Sequence, residues 1–138
     1  MPGNKLYRIS RIVDGVRGVW SWGNIAKIKY HMSLADKYLI EAKTLFEYKQ
    51  YLFAVDALKR SNNHINKLPF YVMAAEKDGK NISVLREKIT ESRKAHLLVL
   101  NQLKTQLPEE FTWTPEKGSS TPLSLRTIFE EAIYIRQK

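Results

Sequence analysis

Three consecutive stretches of this chain place apolar or small residues at alternating steps of three and four, and that period leaves little choice of architecture. Ile25, Ile28, Met32, Ala35, Leu39, Ala42 and Phe46 form the first seam. Tyr51, Ala54, Leu58, Ser61, Ile65, Leu68, Val72 and Ala75 form the second; Ile82, Leu85, Ile89, Ser92, His96, Val99 and Leu103 form the third. Such spacing keeps side chains on one stripe of a 3.6-residue helix, whereas a strand needs a period of two. Each stripe has to be covered, so three amphipathic helices joined by short connections predict an all-α, up-down antiparallel bundle.

The boundaries follow from capping chemistry. Asn24 is a good N-cap for a helix over 24–48. The second helix, 51–76, ends at Lys77-Asp78-Gly79, where Gly79 suits a left-handed C-cap, and Pro69 is expected to kink it or split it in two. Asn81 caps a third helix, 82–107, closed by Leu107-Pro108. The connections at Lys49-Gln50 and at 77–81 are short enough to make consecutive helices antiparallel neighbours. A shorter helix over 5–19, weakened by Gly15 and Gly18 and followed by Trp20 and Trp22, is expected to supply the fourth helix of a bundle domain spanning 1–108. Residues 109–122 read as a loop, because Thr112 to Pro122 holds three threonines, two serines, two prolines and a glycine. Thr121 then caps a C-terminal helix within 123–138, with Pro122 at its first position. Its stripe of Leu125, Ile128, Phe129, Ala132 and Ile133 is expected to dock on the bundle or on a partner.

Several function classes are excluded by composition. The absence of cysteine removes disulfides, thiolate zinc sites and cysteine nucleophiles. No apolar run reaches the ~18 residues of a membrane span, and residues 1–20 lack a signal-peptide hydrophobic region. The net charge of +9 is uneven, with six bases against one acid in residues 1–31. There Lys5, Arg8, Arg11 and Arg17 form a candidate patch facing phosphates, anionic headgroups or an acidic glycan, set against the plainer reading of a solvated face.

Hairpin arithmetic locates a polar layer. If the second and third helices turn near Gly79, His96 lies level with Ser61 or Asn62; a turn near 49.5 brings Tyr38 to the same height. Tyr38, Ser61, Asn62, Ser92 and His96 are therefore expected to share one layer that fixes register. On this reading a leucine at position 96 still gives a foldable bundle, whereas an alanine leaves a cavity and an unpaired neighbour. No metal site is expected: Ile28, Ser61 and Arg93 stand three residues before the three histidines, so no Glu-x-x-His pair exists, and His-x3-His is absent. Nucleophile elbows, Gly-rich phosphate loops and dinucleotide fingerprints are missing too, so no catalytic residue and no cofactor is assigned. The stretch from Ala42 to Val55 resembles the helical hairpin of the HEPN ribonucleases. Their Arg, four to six residues, then His signature is met neither by Arg60 and His64 nor by Arg93 and His96.

A broader likeness runs over residues 2–108. Pro2-Gly3-Asn4-Lys5-Leu6-Tyr7-Arg8-Ile9, the block from His31 to Ala42, Tyr51-Leu52-Phe53-Ala54-Val55-Asp56-Ala57-Leu58, and the Lys-x-His-x-x-x-Leu motif from Lys94 through His96 to Leu100 carry it. Together they resemble a bacterial family of extracytoplasmic helical domains catalogued only as a domain of unknown function. The departures are Ile40-Glu41-Ala42 at the family's Glu-Ala segment and Lys49-Gln50 where Gly-Asp often joins two helices. The resemblance implies no activity. It implies an export segment or anchor ahead of Pro2, with Met1 an added start, and hence a place in the cell envelope. The expectation is a non-catalytic structural or partner-binding module for a protein or anionic envelope component, touching the membrane only through a segment missing from this chain. The alternative is a cytoplasmic basic helical protein binding nucleic acid without sequence specificity, drawn from the +9 charge and from bases interleaved with Trp20, Trp22 and Tyr30.

Overall fold

The structure, a computed structural model, describes residues 23–113, 118 and 121–138. Over these residues it is an all-α bundle of four helices: α1 Gly23–Glu47, α2 Tyr51–Lys77, α3 Ser83–Gln106 and α4 Leu125–Gln137. A small hairpin, β1 Glu110–Trp113 and β2 Thr121–Ser124, stands between α3 and α4. The helix expected over 5–19, with its tryptophans, lies outside the described residues.

In α1 the expected seam is joined by a second buried row, Leu34, Tyr38 and Leu45, because this helix lies against both α2 and α3. Asn24 is inside α1 rather than ahead of it, and its amide donates to Asp78 Oδ2 at 2.8 Å, tying the start of α1 to the end of α2. Pro69 does not split α2, which is one helix through to Lys77. Leu68 and Val72, buried on either side of it, hold the segment in place across the missing N–H.

Both helix connections close in the same way. Gly79, at φ +74°, donates to the Glu76 carbonyl while Lys80 N–H reaches Ala75, the paired bonds of a Schellman motif. At the end of α1, Lys49 N–H bonds Phe46 and Gln50 N–H bonds Leu45, so Lys49 takes the glycine place at φ +59°. A lysine Cβ is strained there. Lys49→Gly is expected to raise stability by about 1 kcal/mol, read as a melting temperature about 4 °C higher; an unchanged or lower melt would show that the strain is absent. Ile82, buried, stands at the boundary of α3, and Asn81 acts one residue earlier by accepting from Ser83 N–H at 3.1 Å.

The expectation that consecutive helices pack as neighbours holds for α1 and α2 and fails for α2 and α3. Those two are joined by a short turn, yet α4 lies against both of them and their backbones come close almost nowhere. The apolar core is divided. One cluster gathers Leu39, Phe46, Leu58, Leu100, Leu103, Leu125 and Phe129; the other gathers Ile28, Ile65, Leu68, Val72, Ile89 and Ile135. Buried Ser61, Asn62 and His96 lie between them along α2 and α3, and buried Arg136 reaches them from α4.

The expected 109–122 loop is in part a hairpin, with Phe111 opposite Leu123 and Thr112 opposite Pro122. Phe111 meets the Tyr51 ring edge-on at 4.8 Å, which anchors β1 over the start of α2. Pro122 is tolerated because a two-stranded sheet consists only of edges. It therefore sits in β2 and not in a helix. Ser124 rather than Thr121 is the N-cap of α4, its hydroxyl accepting from Thr127 N–H.

Candidate functional site

The chain of polar groups that crosses the core starts on the C-terminal helix. Leu125, Phe129, Ala132 and Arg136 recur at steps of four, three and four, so Arg136 falls on the same stripe as the residues that dock α4. It is 2% exposed. A guanidinium so buried needs partners at each of its nitrogens. Its Nη1 donates to Asn62 Oδ1 at 2.6 Å and to the Ala132 carbonyl at 2.9 Å, Nη2 to Ser61 Oγ at 2.7 Å, and Nε to His96 Nδ1 at 3.0 Å. The Ser61 hydroxyl in turn donates to the Ala35 carbonyl at 2.7 Å. Burial, with the nearby Arg93 charge, lowers the Arg136 guanidinium to about 10, against the favourable field of Asp36.

His96 carries the chain on to α1. Because Nδ1 accepts from Arg136, Nε2 bears the ring proton and donates to Asp36 Oδ1 at 2.6 Å. Ser92 donates to the same oxygen at 2.8 Å. Partial burial pushes the Asp36 carboxyl up, but hydrogen bonds from His96 and Ser92 and the charge of Arg136 outweigh it and hold it below the usual value. The buried cation is thus connected through one imidazole to a carboxylate that is half in water.

Serine, histidine and aspartate together invite comparison with a nucleophilic triad, and the geometry argues against it. Ser92 Oγ is 3.4 Å from His96 Nε2, the protonated nitrogen, and both residues point at one Asp36 oxygen. The lone pair that would remove a serine proton is on Nδ1, already engaged by Arg136. What the arrangement does is fasten α4 to α1, α2 and α3 at one level.

Of the five residues expected in the polar layer, Ser61, Asn62, Ser92 and His96 meet in this network. Tyr38 does not. It stacks on His64 at 5.7 Å in a second cluster, where His31 and His64 approach at 2.8 Å between their Nδ1 atoms, Tyr71 stacks on His31 at 5.1 Å, and Tyr30 meets His31 edge-on. The height assigned to Tyr38 is that of the layer, but Asp36, two residues earlier, faces it instead. A step of two turns a helix by about 200°. The basic patch of Lys5, Arg8, Arg11 and Arg17 lies outside the described residues.

His31 has a consequence for pH. Burial, then the charges of Lys67 and Lys27, lower it to about 4. The folded state therefore binds fewer protons than the unfolded chain below the ordinary histidine value, so the contribution is complete above about pH 6.5 and lost as pH falls toward 4. After allowance for solvent screening this amounts to about 2 kcal/mol. His31→Phe, which retains the stack on Tyr71, is expected to flatten the fall in stability over that window; denaturant melts at pH 7, 6, 5 and 4.5 check it, and equal slopes in both proteins would refute it. Among the described residues, no three His, Asp or Glu side chains converge as metal ligands.

Beside the network runs an open groove between α1 and α3. One half, about 700 Å³, is lined by Lys29, Met32, Lys37, Leu85 and Lys88; the other, about 330 Å³, by Leu39, Lys43, Ser92, His96 and Val99. Asp36 and Ile40 belong to both halves, so the two are continuous. Ile40 is 66% exposed at its centre. Among the described residues, the floor is apolar and the walls carry four lysines, of which Lys43 pairs with Glu47, against a single carboxylate, Asp36, which His96 and Ser92 already engage.

Sequence reasoning missed Asp36 and Arg136. The signal for Arg136 was available in the four-three-four spacing that extends the apolar stripe of α4. Asp36 left none, since a carboxylate on a helix flank looks the same whether it is solvated or paired.

The family model described as Domain of unknown function (DUF5667) matches residues 1–110, which takes in α1, α2, α3 and the first residue of β1. No curated protein and no solved structure matches the chain.

Proposed function

The chain belongs to the family described as Domain of unknown function (DUF5667), and from that premise we propose that it is a non-catalytic helical module of the bacterial cell envelope that receives an acidic amphipathic helix of a partner protein in the groove between α1 and α3. The observation that carries the reading is the groove, an apolar trough with exposed Ile40 at its centre and Lys29, Lys37, Lys43 and Lys88 along its walls. A helix with apolar residues at i, i+3, i+4 and i+7 and acidic residues on both flanks is its complement in shape and charge. The non-catalytic part of the reading is supported by the His96 lone pair, which Arg136 engages and so withholds from Ser92. The placement in the envelope is supported by the likeness of the Pro2 to Ile9 opening and the Lys94 to Leu100 motif to extracytoplasmic domains. A fusion to a reporter that works only outside the cytoplasm, made from the genomic start, tests that placement; an inactive fusion would reject it.

The groove is tested with a defined probe, an 18-residue helical peptide bearing leucines on one face and glutamates on its flanks, and with a counterpart bearing lysines in place of the glutamates. Binding of the acidic peptide, weakened at least ten-fold by Ile40→Asp and absent for the basic peptide, is the expected result. Equal binding of both peptides, or indifference to Ile40→Asp, would reject the proposal. Self-association that Ile40→Asp abolishes would assign the groove to a second copy of the chain instead.

A further inference from the structure

A second concave site lies on another face, independent of the groove between α1 and α3. The cleft that α4 fills between α2 and α3 continues past the last turn of α4 as a cavity of about 290 Å³. Its floor is apolar, built from Leu68, Val72 and Ile89, all buried. Its lining also includes Arg86, Arg93 and Lys138. Met73 lines the cavity too and is 69% exposed, and Phe70 nearby on α2 is 70% exposed, so apolar surface runs outward from it.

The three cations are not equivalent. Arg86 pairs with Glu76 across the α2–α3 turn, and the Lys138 ammonium lies over the Tyr134 ring at 4.7 Å. Among the described residues, Arg93 has neither kind of partner. Among those residues its Nε is buried from solvent without a hydrogen bond, and its guanidinium forms no ion pair. An unpaired buried donor is costly, and a planar guanidinium with a free edge matches a carboxylate or phosphate. Arg93 is also close enough for its charge to disfavour that of Arg136. An anion at this point would relieve both.

We propose that the cavity at the end of α4 binds an amphiphile whose anionic oxygen head group, a carboxylate or phosphate, pairs with Arg93 at the rim while its acyl chain lies over Leu68, Val72 and Ile89. An inorganic anion would satisfy Arg93 and leave the apolar floor bare; a neutral lipid would cover the floor and leave Arg93 unpaired. The free fatty acid and the anionic membrane lipid share the required chemistry.

Decanoate, decanol and inorganic phosphate, each titrated into the full chain by calorimetry, separate these requirements, with sedimentation on phosphatidylglycerol and on phosphatidylcholine vesicles as the membrane arm. Decanoate is expected to bind at least ten-fold more tightly than decanol or phosphate. Arg93→Met removes the charge but keeps the stem, and is expected to abolish that preference without lowering the melting temperature. Sedimentation with phosphatidylglycerol vesicles alone, lost in Arg93→Met, would identify a membrane lipid as the source; binding of free decanoate without vesicle binding would identify a free acid. Equal binding of decanoate and decanol, or retention of either anionic ligand's binding by Arg93→Met, would overturn the proposal, as would failure to bind both decanoate and phosphatidylglycerol vesicles. Should Arg93→Met fold poorly, Met73→Glu at the exposed lip provides the second variant: it puts a like charge beside the head group and must weaken binding if the site is correct.

Discussion

Replacing Arg136 by alanine is expected to lower the unfolding free energy by about 3–5 kcal/mol, the range found when one partner of a buried charged network is removed. The guanidinium is 2% exposed and is held by Asn62, Ser61, His96 and the Ala132 carbonyl. Its loss leaves a void between the two halves of the core and strips Asn62 and His96 of a donor. Arg136→Lys keeps the charge, yet a single ammonium cannot span acceptors on two other helices as a fork does, so it should recover only part of the loss. Chemical denaturation measures both variants. An alanine variant within 1 kcal/mol of wild type would mean that α4 is held by its apolar stripe alone.

Replacing His96 by leucine is the second large effect, and here the structure reverses the expectation of a tolerated substitution. In a layer of neutral hydroxyls and amides a leucine would be accommodated. In the observed network His96 is the only link between the Arg136 Nε and Asp36 Oδ1, so leucine strands a buried cationic donor and should cost about 2–3 kcal/mol. In an Arg136→Met background most of that cost should vanish, because no donor remains to be stranded. A double-mutant cycle therefore predicts a coupling of about 1–3 kcal/mol between the two positions. Strict additivity would show that the imidazole acts only as filler.

The helices were legible because burial of a stripe imposes a period that survives in the sequence: the seams from Ile25 to Phe46, Tyr51 to Ala75 and Ile82 to Leu103 correspond to α1, α2 and α3 to within three residues at each end. The hairpin was not legible, since the pairing of Phe111 with Leu123 and its ring contact with Tyr51 join segments distant in sequence. Pro69 reads as a helix breaker in isolation and is overruled by the burial of Leu68 and Val72. The grooves left no trace, because Ile40 or Arg93 on a helix flank has the same period whether a neighbour covers it or not.

By itself, then, the sequence determined the class of fold, the extents of the three long helices and the height at which Ser61, Asn62 and His96 lie, since each depends on spacing along one segment or across one turn. Only the tertiary structure decided which side chains at that height meet. Position along a helix advances 1.5 Å per residue and can be counted, but direction around it is fixed by which helices lie alongside. The seating of α4 between α2 and α3 brought Arg136 into the layer, Asp36 rather than Tyr38 faced it, and the cleft beyond the last turn of α4 remained open.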